Sequence, residues 1–271
     1  MAPHSRPSAC SPTSAPPLQR LHSTLDDLLR GRLTRDEDLA GGRVDVPART
    51  LALAAIGLGA VYGIFMGLYA ALRADNASVL QLLLTTVKVP LLFLLTLAVT
   101  YPSLYVVSAL FDSKLGHRET LRLLLAATAV NLALLASFGP VTGFFTLSTE
   151  SYAFMVVLNV VFMAASGFVG VGFLRRALRT IYRDESRQTR PTGATDPEGR
   201  PLPPPSSYDD PPAAVRVFTL WTLIYGAVGA QMGWVLRPFI GAPGLPIEVV
   251  RSERDSNFFE AFFHALGKLF Q

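Results

Sequence analysis

Four polar side chains lie within long apolar stretches of this sequence, where a binding or transport site would require them. They are Lys88, Asn131, Asn159 and Gln231. Polar groups in such surroundings are costly and commonly mark substrate paths or ion sites. The three amides could line a path for a solute, but hydrogen bonding between neighbouring helices is the interpretation that we favour. The middles of these stretches contain no carboxylate or histidine, which argues against proton-driven transport and intramembrane proteolysis.

The motifs that usually carry catalysis or cofactor binding are missing from the sequence. There is no glycine-rich dinucleotide or phosphate loop, and no HExxH, CxxC or GxSxG pattern. Cys10 is the single cysteine, and the four histidines are scattered without a metal-ligand spacing. We therefore predict no catalytic, cofactor-binding or metal-binding residues, and a protein that is not an enzyme.

The apolar stretches must position the polar residues, and the first stretch indicates the class of protein. Leu51 to Leu72 holds no charged residue between Arg49 and Arg73. As a helix it would span roughly 30 Å, the hydrocarbon thickness of a bilayer. Backbone groups in lipid must be paired within the segment, so an isolated span is helical. Because 50% of the residues are hydrophobic and 16% charged, we predict an all-α integral membrane protein with several spans.

The apolar runs predict a bundle of about five transmembrane helices. They are Leu51–Leu72, Pro90–Phe111, about Thr120–Phe138, Tyr152–Leu174 and Val217–Leu236. Gly139, Pro140 and Gly143 should end the third helix, since proline removes a backbone donor and glycine weakens a helix. Trp221 and Trp234 lie near the two ends of the fifth helix, as aromatic residues at a membrane interface do.

Lys88 leaves two interpretations of the second helix open. In the one that we favour, Val79–Val87 is an interfacial segment, Pro90 is an early position of the membrane helix, and Lys88 extends to the headgroups. In the other, one long tilted helix runs from Ser78 to Phe111 and buries Lys88. A buried lysine at that depth would mark a functional site.

Two faces of small residues are predicted to be helix-packing surfaces on the first and fifth membrane helices. Their residues are Gly59, Gly63 and Gly67, and Gly226, Gly229 and Gly233. Glycines at this spacing lie on one side of a helix and allow another backbone to approach closely. That backbone could belong to a second copy of the chain or to another helix of the same bundle, and we favour the latter.

The spans divide the chain into a membrane bundle and flanking segments. We predict a cytoplasmic tail with an amphipathic helix at 1–46, membrane helices one to four at 47–183, a disordered Pro-rich cytoplasmic linker at 184–214, the fifth helix at 215–240 and a C-terminal tail at 241–271. High proline and charge content without apolar residues is typical of such linkers.

The C-terminal tail carries a second amphipathic segment. Its apolar residues are Phe258, Phe259, Phe262, Phe263, Leu266, Leu269 and Phe270. Glu260, His264 and Lys268 form a narrow polar stripe at four-residue spacing. The pattern predicts an interfacial helix that lies on the membrane surface, and docking against the bundle is the alternative.

The distribution of positive charge predicts the orientation. With a cytoplasmic N-terminus and five crossings, all but six of the 24 lysines and arginines fall on the cytoplasmic side. The six are Arg73, Lys88, Arg237, Arg251, Arg254 and Lys268. Because cytoplasmic loops are enriched in these residues, the N-terminus is predicted inside and the C-terminus outside. The Arg-, Ala-, Leu- and Pro-rich composition suggests a bacterial, GC-rich genome, and hence the bacterial cytoplasmic membrane.

The stretch LGHRETLRLLLAATAVNLALLASFGPV is similar to the polar loop and following helix of bacterial members of the Yip1-domain family. The resemblance covers about Leu51 to Tyr182. It implies a cytoplasmic N-terminal region, about five closely spaced membrane helices and a short or outward C-terminus. The acidic-Leu-Tyr-Gly-Pro signature of the eukaryotic members is missing, so their small-GTPase partners are not carried over. QMGWVLRPFIG and the helix after it also resemble the C-terminus of a group of bacterial membrane proteins, from which no function follows.

These observations predict a non-enzymatic membrane protein that organises membrane or scaffolds partners. The expected partners are the lipid bilayer and either a second copy or another membrane protein, without nucleic acid. A small-solute transporter or channel is the alternative, and it requires the four polar residues named first to converge on one cavity. A regulatory subunit of a membrane complex, acting through its cytoplasmic tail and linker, is a third possibility.

Overall fold

The computed structural model describes residues 48–73, 79–110, 117–188, 213–236 and 258–269, together with Asp26. These ranges form six helices and no strand: α1 (Ala48–Arg73), α2 (Val79–Leu110), α3 (His117–Ser148), α4 (Tyr152–Gln188), α5 (Ala213–Val235) and α6 (Phe258–Leu269). The all-α fold class is thus confirmed for the described residues. Apart from Asp26, which is helical, the predicted N-terminal helix lies outside them, as do residues 189–212 of the linker.

Four helices are long and apolar enough to cross a membrane, as an integral membrane protein with several spans requires. The candidate spans are Ala48–Leu72, Val79–Val106, His117–Ser148 and Tyr152–Arg179. Large apolar side chains such as Leu53, Phe144 and Phe168 are exposed on these helices. So much exposed apolar surface is unfavourable in water but not in lipid.

α1 lies between α2 and α3. α4 packs on α3, α5 packs on α2, and α6 contacts α4 and α5. Only three residues join α3 to α4, which makes these two helices antiparallel neighbours. Ser151 caps α4 by accepting a 3.3 Å hydrogen bond from the Phe154 N–H. The Tyr69 hydroxyl donates to the Glu150 carbonyl at 2.9 Å and so fastens this turn to α1.

The glycines Gly59, Gly63 and Gly67 of α1 are buried and face α2. A Cβ added at Gly63 would lie 2.8 Å from the Thr85 carbonyl oxygen, and one at Gly59 would lie 2.9 Å from the Pro90 Cβ. Such distances are shorter than van der Waals contact, so only glycine permits this approach. The neighbour of this face in the structure is therefore a helix of the same chain.

The second membrane helix differs from the interpretation that we favoured. α2 runs without interruption from Val79 to Leu110 and contains Pro90 and Pro102, and the Lys88 side chain is only 3% exposed. The prediction of an interfacial segment ending at Val87, with Lys88 at the headgroups, is therefore wrong. Gly59 leaves room for the Pro90 ring, and packing on α1 stabilises the turn that lacks the proline N–H.

The third and fourth helices are longer than predicted. α3 continues through Gly139, Pro140 and Gly143 to Ser148, so the predicted end near Phe138 is wrong. A Cβ at Gly139 would overlap the Phe65 ring, and one at Gly143 would lie 3.0 Å from it. The two glycines thus accommodate a ring of α1 instead of ending the helix. α4 likewise continues through the arginines after Leu174 and into the predicted linker, to Gln188.

Candidate functional site

A cavity of about 470 Å³ lies between the helices and opens to the surroundings beside Phe168, and each of the six described helices contributes to its wall. We call this cavity the chamber. One lining residue from each helix, in chain order, is Met66, Phe93, Asn131, Met163, Tyr225 and Phe262. The volume is typical of small-molecule sites, which are mostly apolar with a few placed polar groups. No described residue of the wall is charged.

Two aromatic residues of α5 fasten this helix to α2 beside the chamber. The Trp221 indole N–H donates to the Thr100 carbonyl at 3.1 Å, and the Tyr225 hydroxyl donates to the Phe93 carbonyl at 3.3 Å. Trp221 is only 5% exposed, so its ring packs within the bundle, while its predicted position near the membrane interface stays a prediction. The Thr100 carbonyl satisfies the indole N–H of this buried ring.

The glycines of α5 lie on the chamber wall. A Cβ at Gly226 or Gly233 would meet no neighbouring atom within 4 Å, while one at Gly229 would lie 3.5 Å from the Thr96 Cγ2. The close backbone approach predicted for this face is therefore not present in the part of the chain that the structure describes. Trp221 and Tyr225 hold α5 against α2. The three glycines of α5 have no side chains to fill the gap beside them, so they leave space for the chamber.

The hydroxyl groups of three lining threonines already have partners. Thr96, Thr128 and Thr222 donate to carbonyls four residues earlier in their own helices, at 2.6, 2.9 and 2.7 Å. In an apolar environment this local bond satisfies a hydroxyl that has no water to bind. These side chains therefore have no proton left to donate to a ligand.

Asn159 is one of two predicted polar residues on the chamber wall, and its amide joins two helices. Its Oδ1 accepts a 2.6 Å bond from the Tyr62 hydroxyl of α1, and its Nδ2 donates to the Met155 carbonyl at 2.7 Å. Asn159 is 2% exposed and Tyr62 is fully buried. The geometry matches the interhelical hydrogen bond that we favoured for the amides.

Asn131 differs from Asn159, although it lines the same chamber. Its side chain is 8% exposed, and its Oδ1 has no hydrogen-bond partner among the residues that the structure describes. A buried acceptor left unsatisfied costs about 1–3 kcal/mol. A Cβ at Gly170 would lie 3.3 Å from the Asn131 Cβ, so α4 approaches α3 closely there. The Oδ1 is itself fully buried, so Asn131 lines the chamber without presenting this acceptor to it.

The other two predicted polar residues do not line the chamber. Lys88 is buried elsewhere on α2, and Gln231 is exposed on α5. The convergence that the transporter alternative requires is therefore limited to Asn131 and Asn159, one of which is bonded to Tyr62.

The predicted interfacial segment contributes to the wall of the chamber. Phe262 of α6 is part of the wall, whereas Phe259 and Phe263 are 53% and 66% exposed. The helix therefore presents apolar side chains both to the bundle and to the surroundings. Phe270 and the side chains of Phe258 and Leu269 lie outside the described part of the chain.

Sequence reasoning missed Tyr62 and Tyr225 and did not assign a helix-joining role to Trp221, although all three hold helices in position through hydrogen bonds. The spacing of Trp221 and Tyr225 places both rings on one face of a helix, which was the signal available. Comparison of the chain with known proteins offers no further guide to the site, since no protein-family model, curated protein or solved structure matches it.

Proposed function

We propose that this chain is a non-enzymatic integral membrane protein that binds a lipid-like molecule inside its helix bundle and so organises lipid in the membrane. The chamber is the observation that supports the proposal. None of its described lining residues is charged, it draws on all six described helices, and it has the volume of a small-molecule site. An apolar molecule bound there would cover the apolar side chains of the wall.

Five crossings, with the N-terminus in the cytoplasm of a bacterium and the C-terminus outside, belong to the same proposal. α5 supports the fifth crossing, because its 23 residues reach roughly 35 Å and pack along α2. The charge distribution supports the orientation. Membership of the Yip1-domain family, a second copy or another membrane protein as partner, and the regulatory-subunit alternative stay predictions.

Photocrosslinking with a diazirine-bearing fatty alcohol in lipid nanodiscs tests the proposal. The wild-type protein should be labelled at Met163, which lines the chamber, and at Phe144 on the outer surface. Gly167→Leu should abolish the Met163 label, because Gly167 lines the chamber and has no neighbour within 4 Å of an added Cβ. The Phe144 label should persist, since it reports ordinary contact with lipid.

The matched control is Gly172→Leu on the same helix. Gly172 is equally free of neighbours but does not line the chamber, so the Met163 label should be unchanged. A wild-type protein labelled only on its outer surface, or a Met163 label that survives Gly167→Leu, would contradict a lipid-binding chamber.

A further inference from the structure

We propose that the occupant of the chamber is a glycerophospholipid with a net negative headgroup. Arg175 and Arg179 of α4 hold its phosphate, and one of its acyl chains enters the chamber beside Phe168. This inference rests on the proposed function and specifies its ligand. It follows from the length of the chamber along α4, from the edge of α4 on which the chamber opens, and from the positive charge at that end of the bundle.

The chamber follows α4 over most of its candidate membrane span. The wall residues of this helix run from Tyr152 to Leu174, which is about 33 Å along the helix axis. A cavity of about 470 Å³ that is this long must be narrow, and a long, narrow, apolar space fits an acyl chain better than a compact molecule. Because no described wall residue is charged, a charged headgroup is favoured outside the chamber.

The edge of α4 that carries the opening also carries two exposed arginines. Arg175 and Arg179 follow Phe168 by seven and eleven residues, so both lie within about 20° of Phe168 around the helix. Both are exposed, at about 10.5 and 16.5 Å beyond Phe168 along the axis. The acyl chains of one leaflet are about 15 Å deep, half of the hydrocarbon core. A phospholipid whose phosphate binds these arginines therefore has its chains at the depth of the opening.

Positive charge is concentrated at this end of α3 and α4. A Cβ at Gly170 would lie 3.4 Å from the Ala127 carbonyl oxygen, and the helices are antiparallel, so residues 117–124 lie level with about residues 175–182. These two segments contain five arginines and one carboxylate. Clustered arginines at a membrane surface attract anionic lipids, and a guanidinium pairs with phosphate through two parallel hydrogen bonds. A zwitterionic headgroup carries its own positive charge, so it gains less there.

Quenching of Trp221 fluorescence by brominated lipids tests this placement, because Trp221 lines the chamber and is only 5% exposed. The chain contains two tryptophans, and Trp234→Phe leaves Trp221 as the single emitter. The probes, added to the protein in a neutral detergent, are phosphatidylglycerol and phosphatidylcholine with the same dibrominated chains. Phosphatidylglycerol should bind roughly tenfold more tightly, and high salt should remove most of this preference by screening the exposed charges.

The test variants are Arg175→Gln and Arg179→Gln in this parent. Each should weaken the binding of phosphatidylglycerol roughly fivefold, as the loss of one arginine near a membrane surface gives. Phosphatidylcholine should bind both variants within about twofold of the parent. Comparing each probe between proteins cancels its partitioning into the detergent. Both side chains are exposed, so the substitutions should leave the bundle folded.

The matched control is Arg49→Gln, which removes an equal charge from another exposed arginine. Arg49 lies at the same end of the bundle, because Tyr69, near the other end of α1, bonds to the turn between α3 and α4. It belongs to α1, which packs between α2 and α3. Its loss should weaken phosphatidylglycerol binding by less than about twofold, since it is not on the edge of α4 that carries the opening.

The outcomes separate this inference from the proposed function. If both lipids bind the parent equally, or if Arg49→Gln weakens the anionic lipid as much as Arg175→Gln does, an acyl chain enters the chamber without the arginine anchor. Only this inference then fails. If neither lipid quenches Trp221, or if the quenching survives Gly167→Leu, the lipid-binding chamber itself is wrong.

Discussion

At the scale of single residues, the close contact between α1 and α2 depends on glycine at position 63. Gly63→Ala places a Cβ 2.8 Å from the Thr85 carbonyl oxygen and the Thr86 Cα, so two backbones must separate. We expect a loss of about 1–3 kcal/mol in the free energy of unfolding, as for other overpacked sites. Reversible unfolding in mixed micelles measures it. The control is Gly57→Ala on the same helix, where an added Cβ meets nothing within 4 Å; equal losses in the two variants would contradict the account.

The hydrogen bond between Tyr62 and Asn159 makes a second prediction at this scale. Tyr62→Phe leaves the buried Asn159 Oδ1 without its 2.6 Å donor, which should destabilise the protein by about 1–3 kcal/mol. In an Asn159→Leu background the same change should cost much less, since no acceptor remains to be orphaned. A double-mutant cycle of unfolding free energies measures the coupling, and additive effects would show that the bond contributes nothing.

The two asparagines also show how far single residues could be predicted. Their placement in apolar stretches indicated that each amide needs a hydrogen-bond partner or belongs to a functional site. The interhelical hydrogen bond expected for the amides is present at Asn159. The sequence could not distinguish them, because Tyr62 lies 97 residues before Asn159 and no local pattern signals that pairing. Lys88 was misplaced for a similar reason, since its burial depends on how α2 packs against the bundle.

At the scale of helices, α5 is held by the two aromatic residues that bond to carbonyls of α2. Trp221→Phe keeps most of the ring but removes the donor to the Thr100 carbonyl. We expect amide hydrogen exchange to accelerate severalfold in α5, because a lost hydrogen bond of about 1 kcal/mol raises local opening by that factor. Leu223→Ala is the control, since Leu223 is 69% exposed. Unchanged exchange in Trp221→Phe would mean that other contacts hold α5.

The helices themselves were largely predictable, but their ends were not. Long charge-free runs require helices in lipid, and the four candidate spans follow from this requirement alone. Pro90 and Gly139 were expected to limit helices, as they do when exposed to water. In the structure, each of these residues packs against a residue of α1 that fits it closely. Pro90 packs on Gly59, and Gly139 packs on the ring of Phe65. Local propensity could not reveal these tertiary contacts.

At the scale of the whole molecule, the number of crossings decides the position of the C-terminus. Five crossings place Gln271 outside the cytoplasm. A phosphatase reporter fused after Gln271 should be active, because it folds only outside, whereas a fluorescent reporter that folds in the cytoplasm should be dark. The same pair fused after Gln188, in the basic segment after the fourth candidate span, should give the opposite result. Cytoplasmic signals at both positions would contradict the fifth crossing.

The chamber could not be predicted from the sequence. Its lining residues come from six helices, and most are the small and apolar residues found at any membrane-helix interface. The glycines of α5 illustrate the ambiguity, because the same spacing produces close packing in α1 and an open wall in α5. Whether such glycines pack closely or leave an open wall depends on the neighbouring side chains that hold the helix in place.

The most direct test of the central claim is native mass spectrometry of the protein released from its own membrane. The wild type and Gly172→Leu should each retain one lipid-like molecule under conditions that strip surface lipid. Gly167→Leu should fold but appear without it, because its side chain occupies the space between the helices. An identical spectrum for all three proteins, whether bare or bound, would contradict a chamber that holds a ligand.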